Sequence, residues 1–486
     1  MSLCLYLSDD YIFAARSNGI STTAIKFDNR DDYYSGCGYS KKDGTTLTPP
    51  YNLGNRLKDD ILGGVLFLFT EDGESSLFNR LHDTAFNYVG ITTEGTLKYN
   101  VNGTQFSLEE VFQFILRNIS SRVINLDLLR DVFLIIPDYY DQVGRNRLYS
   151  CAKSIFHKAT LHFINQTSAM CMKIHEDYHE NDLCLLLHFN SGPFEVSLAH
   201  MSKGATTPVV SVTNDNVSGY DLVLNLLEIM EEKVRDNSLV PDYDVPEKAA
   251  VRRDLRFRTW QRLLSFAYYT GQDVELETSD GDCFYAREAH LARAFDRLAE
   301  ELQTTVAHCC VLAGVSLGMV NRIVVSGPFC ESLDFQPLLE RLGSACDPMV
   351  VEERRLCEKV ARWNNQKQIL QCSLGVSIQD QHFLIVDRFA PYPLVEKKQI
   401  VIPMENPGSS LMLRFFQNRL QDRQQRIIKV FQLNSLPVYQ GKVALTITLW
   451  INDSGIASAA VHDTNEQTVL ISETLLFSVC FKILFS

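Results

Sequence analysis

The chain is short of basic charge, of unbroken apolar runs and of paired cysteines. Its 46 Lys and Arg face 59 Asp and Glu, a net charge of −13. Direct nucleic-acid binding, which needs a basic face against phosphate, is therefore not expected. The apolar end, Leu470 to Phe485, is broken by Glu473 and Lys482 and is too short for a spanning helix, so it reads as a buried terminal strand and no membrane is expected. Met1 to Leu7 lacks the basic region and long apolar core of a secretory leader. The 13 cysteines are scattered without metal-ligand spacing, and only Cys309 and Cys310 are adjacent. They read as reduced thiols of a cytosolic protein, in which Asn118 would carry no glycan.

What is present is enough chain for two or more domains. The 486 residues are 45% hydrophobic and 22% charged, the balance of a soluble globular protein with a substantial core. The organising stretch is Leu183 to His200. The apolar run Leu183 to Leu187 reads as a buried strand, and Asn190-Ser191-Gly192-Pro193 as a turn. Phe194, Val196 and Leu198 then alternate with Glu195, Ser197 and Ala199 as a return strand. Such a hairpin can turn its amides toward an anion, although an ordinary hairpin has the same pattern. Leu3 to Arg16 repeats the strand-turn-strand pattern, so the chain reads as two similar halves.

Between and after these hairpins the pattern is mixed α/β. Asp131 to Ile136 is a strand ended by Pro137, followed by a helix from about Val143 to Lys158 and a strand from Leu161 to Ile164. Asp28 to Asn55 reads as loops and Lys58 to Gly64 as a short helix ended by glycine. Thr96 to Phe106 reads as a hairpin about Asn102-Gly103, and Ser107 with Glu110 as a capping box. Gly219 to Val234 is a helix, and the charged run Glu231 to Arg258 a solvated loop with an exposed helix. A hairpin covers Glu275 to Tyr285, one long helix Ala286 to Ala313 with Gly314 as its stop, a strand Arg322 to Ser326 and a helix Glu352 to Trp363. His175 and His179 are four apart but stand in a polar, loop-like stretch, a poor setting for zinc. From His382 the pattern turns to short strands separated by Asn406-Pro407-Gly408 and Asn452-Asp453-Ser454-Gly455.

Several phrases fall in an order that resembles the 70-kDa heat-shock chaperones. Ile136 to Tyr140 (IPDYY), Asn165 to Ala169 (NQTSA), His188 to Ser197 (HFNSGPFEVS) and Val217 to Leu222 (VSGYDL) stand where that family has VPAYF, NEPTAA, DLGGGTFDVS and LGGEDFD. The resemblance implies an actin-like two-lobed ATPase fold over residues 1–363, a linker over 364–381 and a β-sandwich peptide-binding domain over 382–486 without a helical lid. It implies ATP as ligand, with Ser191, Gly192, Gly219, Arg262, Ser265 and Gly327 as the retained nucleotide-binding positions.

The same comparison removes the catalytic set. The family's opening DLGTT reads Tyr6, Leu7, Ser8, Asp9, Asp10, so a phenol replaces the metal-side carboxylate and acids stand where phosphate would lie. Of the second motif's glycines only Gly192 survives, Pro193 has no amide to donate, and the family's acidic residue after the Phe survives as Glu195. The motif Glu becomes Gln166, the stacking Arg becomes Glu331, and the catalytic lysine matches Asp59 or, one residue over, Lys58. No catalytic residue and no metal ligand is assigned, Mg is not expected to be held as in the family, and any ATP binding would be weak. The implied function is protein folding, with unfolded or nascent polypeptide as partner, a J-domain co-chaperone, and the ribosome reached through that partner. This layout resembles the family's lidless ribosome-associated members, which leaves open an ATP-dependent chaperone or a non-enzymatic scaffold. A sugar kinase shares the fold class but not the C-terminal strands, and its catalytic-Asp motif is missing here.

Overall fold

A computed structural model describes residues 1–8, 11–27, 32–34, 37–39, 47–48, 61–62, 64–70, 78, 89–92, 96–101, 104–123, 126–177, 182–190, 192–202, 205–222, 224–225, 228–229, 274–277, 283–286, 288–327, 348–361, 368–370, 372–379, 381–404, 410–418, 425–434, 436, 438, 440–464 and 469–474. Two sheets of the same wiring carry the first three-quarters of the chain. In the first, Ser2–Leu7 lies in the middle, antiparallel to Tyr11–Ser17 on one side and parallel to Asp131–Ile136 on the other. Thr22–Ala24 extends the hairpin side and Thr160–Asn165 the parallel side. In the second, Leu183–His188 takes the middle place, with Pro193–Ser202 and Ala205–Ser218 on the hairpin side and Arg322–Ser326 and Met349–Val351 on the parallel side.

The reason is in the middle strands. Leu3 to Leu7 and Cys184 to His188 are buried on both faces, which suits strands flanked by helices and not an open sheet. Parallel neighbours need crossovers, and helices supply them. Leu108–Ser120 precedes Asp131–Ile136, and Gln142–Ile155 links it to Thr160–Asn165. The Ser107 hydroxyl accepts from the Glu110 amide while Glu110 reaches back to the Ser107 amide, so the capping box forms as its sequence requires. Two further helices bridge the sheets. Gln166–Asp177 packs against Ala205–Ser218, and Glu353–Val360 returns from the second sheet to pack on Ser2–Leu7 and Tyr11–Ser17. The architecture is mixed α/β and is consistent with the two-lobed expectation.

From Ser373 the chain forms two four-stranded antiparallel sheets. One runs Gln381–Val386, Ser373–Ile378, Leu411–Asn418, Arg426–Leu433; the other Leu394–Pro403, Lys442–Ile451, Ala457–Asp463, Val469–Thr474. Leu411, Leu413 and Phe415 from one face Val443, Leu445, Ile447 and Leu449 from the other in a separate core, the arrangement of a β-sandwich. Among the described residues no helix is long and apolar enough to cross a membrane.

Five expectations are corrected. The segment 364–381 holds the first sandwich strand, Ser373–Ile378, because Leu374, Val376 and Ile378 alternate into the core despite their polar flanks. Gly64, with φ 69°, opens the helix Val65–Leu68 and does not close one; four consecutive apolar residues follow it and all are buried. Ile61–Leu62 is a strand. The helix expected over Ala286 to Ala313 is two, Glu288–Asp296 and Ala299–Ala313, with the Leu298 amide tightened onto the Phe295 carbonyl between them. The inward stripe survives the break because Phe295, Leu298, Leu302 and Val306 pack into the same core. Gly314 does stop the second helix, at φ 68°. His175 lies on the Gln166–Asp177 helix and not in a loop; His179 lies outside the described residues. The last helix is shorter than Glu352 to Trp363, ending at Val360.

Candidate functional site

The two middle strands end near each other, and Tyr6, next to the end of one, meets His188, at the end of the other. The Tyr6 hydroxyl donates to Glu353 Oε1 at 2.7 Å and accepts from Gln166 Nε2 at 2.6 Å. His188 Nε2 lies 3.3 Å from the same hydroxyl, and its Nδ1 pairs with Ser326 Oγ. Asn190 Nδ2 donates to Gln166 Oε1 at 3.2 Å, and Ser8 Oγ donates to Asn190 Oδ1 at 3.4 Å. Tyr6, Gln166, His188, Asn190, Ser326 and Glu353 are all buried. They come from both sheets and both bridging helices, so the network bolts the two halves together.

A second buried strip runs beside the first. Asp138 accepts from the Thr167 amide at 3.1 Å and from Ser211 Oγ at 3.0 Å. Ser211 Oγ also accepts from Ser197 Oγ at 2.8 Å, and Ser197 pairs with Thr167 Oγ1 at 2.7 Å. Glu195 takes the Tyr139 amide at 3.0 Å. Burial raises the Asp138 pKa, against the pull of these hydrogen bonds and of Arg145.

Burial pushes His188 down to about 3 and Glu353 up to about 7. Their 3.8 Å approach is therefore not an ion pair at neutral pH, since the imidazole carries no charge. The Tyr6 phenol is raised well above its ordinary range, by burial first and by Glu353 second. These shifts set a pH window. Glu353 holds its proton in the folded protein where an unfolded carboxyl, near 4.5, has lost it; this contribution to stability is lost as pH rises from about 4.5 through about 7. His188 acts in the other direction, costing stability as pH falls from about 6.5 toward about 3. Glu353→Gln keeps an acceptor for Tyr6 and removes the first effect. Urea unfolding at pH 8 should show it more stable than the wild type by about 1–3 kcal/mol, with little gain at pH 5. An equal gain at both pH values would show that Glu353 does not titrate in this window.

The residues expected at a nucleotide divide as follows. Gly192 and Gly219 are brought together: the Gly219 amide donates to the carbonyls of Asn190 (3.1 Å) and Gly192 (3.3 Å). Gly327, at φ 120°, lies so close to Phe189 that a Cβ there would stand 2.1 Å from the Phe189 carbonyl oxygen, so glycine is required. Ser191, Arg262, Ser265 and Asp59 lie outside the described residues. Sequence reasoning missed Glu353 and Ser211. Both lie beyond the motifs, and no local pattern marks a carboxylate that meets Tyr6 across the fold. Among the described residues no group of three or more His, Cys, Asp or Glu could hold a metal ion.

A distant similarity to one curated protein runs along most of this chain. A ribosome-associated molecular chaperone of Nakaseomyces delphensis is 22% identical over 416 residues, covering 79% of this chain and 67% of the relative. No family model matches the chain. A distant similarity of this extent supports the resemblance to the 70-kDa heat-shock chaperones and runs through more of the chain than either half alone provides.

Proposed function

We propose that this protein is a divergent chaperone of the heat-shock 70 type, in which the two-lobed domain over residues 1–363 is a scaffold and the β-sandwich holds extended apolar polypeptide. The bolt of Tyr6, Gln166, His188 and Glu353 carries the scaffold reading. Where phosphoryl transfer needs metal ligands, cations and free amides, these residues satisfy one another. The distant similarity to a ribosome-associated chaperone supports the chaperone reading. Backbone pairing would give the sandwich its affinity for peptide and alternating pockets its selectivity. Ser191, Gly192, Gly219, Arg262, Ser265 and Gly327 give ATP a weak hold at most, without Mg held as in the family.

The working unit is a complex in the cytosol with a J-domain protein, through which it reaches ribosomes and nascent chains. The test is suppression of aggregation of a denatured client by the purified protein, with and without ATP, alongside affinity purification from cytosol. Equal suppression in both conditions, with a J-domain protein and ribosomes in the eluate, is expected. Peptide release accelerated about tenfold or more by ATP would overturn the scaffold reading. No client binding at all would overturn the chaperone reading.

A further inference from the structure

The first sheet ends in a strand that another part of the chain completes. Among the described residues Thr160–Asn165 is the outermost strand on its side, with a sheet neighbour on one flank only. On the other flank its backbone groups are taken by two side chains of the C-terminal part. Ser454 Oγ donates to the Leu161 carbonyl and accepts from the Phe163 amide, both at 3.2 Å. The Gln368 carboxamide then accepts from the Asn165 amide at 2.8 Å and donates to the Phe163 carbonyl at 2.9 Å. In sequence along the strand these are four of the groups a further β-strand would pair. A hydroxyl and a carboxamide stand in for it.

Around this seam the contacts are equally committed. Gln142 donates to the Gly455 carbonyl and accepts from the Ala457 amide at 3.1 Å. Arg145 Nη1 donates to the Ser454 carbonyl at 2.9 Å while its guanidinium lies over Tyr392. Asp141 pairs with Arg426 at 2.9 Å and is itself fully covered. Ile456, in the sandwich turn, belongs to the core that the two α/β sheets share and not to the sandwich core.

We propose that the β-sandwich is a permanent side wall of the first half, docked with or without nucleotide. The physical reason is the edge. A sandwich that swung away would leave a six-residue strand with unpaired donors and acceptors, the template for pairing with another chain. The Gln368 carboxamide, bonded to the strand through both its oxygen and its nitrogen, would lose both bonds if the sandwich moved away. The proposal deepens the scaffold reading and rests on it only for the peptide-binding role of the sandwich. A fixed wall means that nucleotide cannot gate that role by undocking.

Amide-resolved hydrogen exchange on the full chain tests it. The Phe163 and Asn165 amides should exchange as slowly as that of Leu134, one strand further in, and change less than about twofold with saturating ATP or ADP. In Gln368→Ala and Ser454→Ala the Asn165 and Phe163 amides respectively should exchange at least about tenfold faster while Leu134 is unchanged. Fast exchange of both amides in the wild type, or acceleration of about tenfold or more by ATP, would overturn the proposal. If a variant does not fold, the wild type with and without nucleotide decides. Slow, nucleotide-independent exchange in a protein that binds no client would sink the chaperone reading and leave the fixed wall standing.

Discussion

Purified protein given ATP and Mg is expected to release phosphate at least about 1,000-fold more slowly than an active heat-shock 70 protein in single turnover. The transferred phosphoryl group needs positioning and charge stabilisation, and removing one such group commonly costs about 100-fold. By the resemblance, Tyr6, Gln166, His188 and Pro193 stand where the family's motifs carry other groups, and losses within one catalytic unit do not multiply simply. The geometry adds to this. Tyr6 and Gln166 are bonded to each other and to Glu353 and Asn190, so neither is available to orient water or metal. Turnover near that of an active relative, lost on mutating Tyr6 or Gln166, would refute the prediction. Turnover indifferent to both mutations would come from a contaminant.

Tyr6→Phe is expected to destabilise the folded protein by about 2–4 kcal/mol, and Tyr6→Ala by about 3 kcal/mol more. The phenol oxygen is buried and serves Gln166, Glu353 and His188 at once. Phenylalanine keeps the ring against Phe13, 6.1 Å away between centroids, but leaves those polar groups facing carbon. Alanine also opens a cavity in the middle strand. Urea unfolding followed at pH 7 measures both. A Tyr6→Phe protein as stable as the wild type would mean that water replaces the hydroxyl, and the bolt would then contribute little to holding the halves together.

The chain states its local structure plainly. Leu3 to Arg16 and Leu183 to Leu198 fold as the hairpins their alternation requires, since burying one face fixes period and register. Ser107 and Glu110 close a capping box, and Gly314 ends a helix, because those groups satisfy orphan backbone atoms within a turn or two. The strand Ser373–Ile378 was equally present in Leu374, Val376 and Ile378, but polar neighbours hid a three-residue alternation inside what reads as a link. The single helix expected over Ala286 to Ala313 failed for the opposite reason. Its apolar stripe continues across Arg297 and Leu298 although the backbone does not.

At the site, the residue types that the resemblance sets against the family's motifs, Tyr6, Gln166, His188 and Pro193, are readable one residue at a time. What meets them depended on packing across the whole fold. Glu353 meets Tyr6 across 347 positions, and Gln368 reaches the Asn165 amide across 203. A carboxyl or carboxamide has no intrinsic partner in the sequence. Its pKa and its bonds are set by what packing buries beside it, because an unpaired polar group inside a protein costs more than the pairing gains.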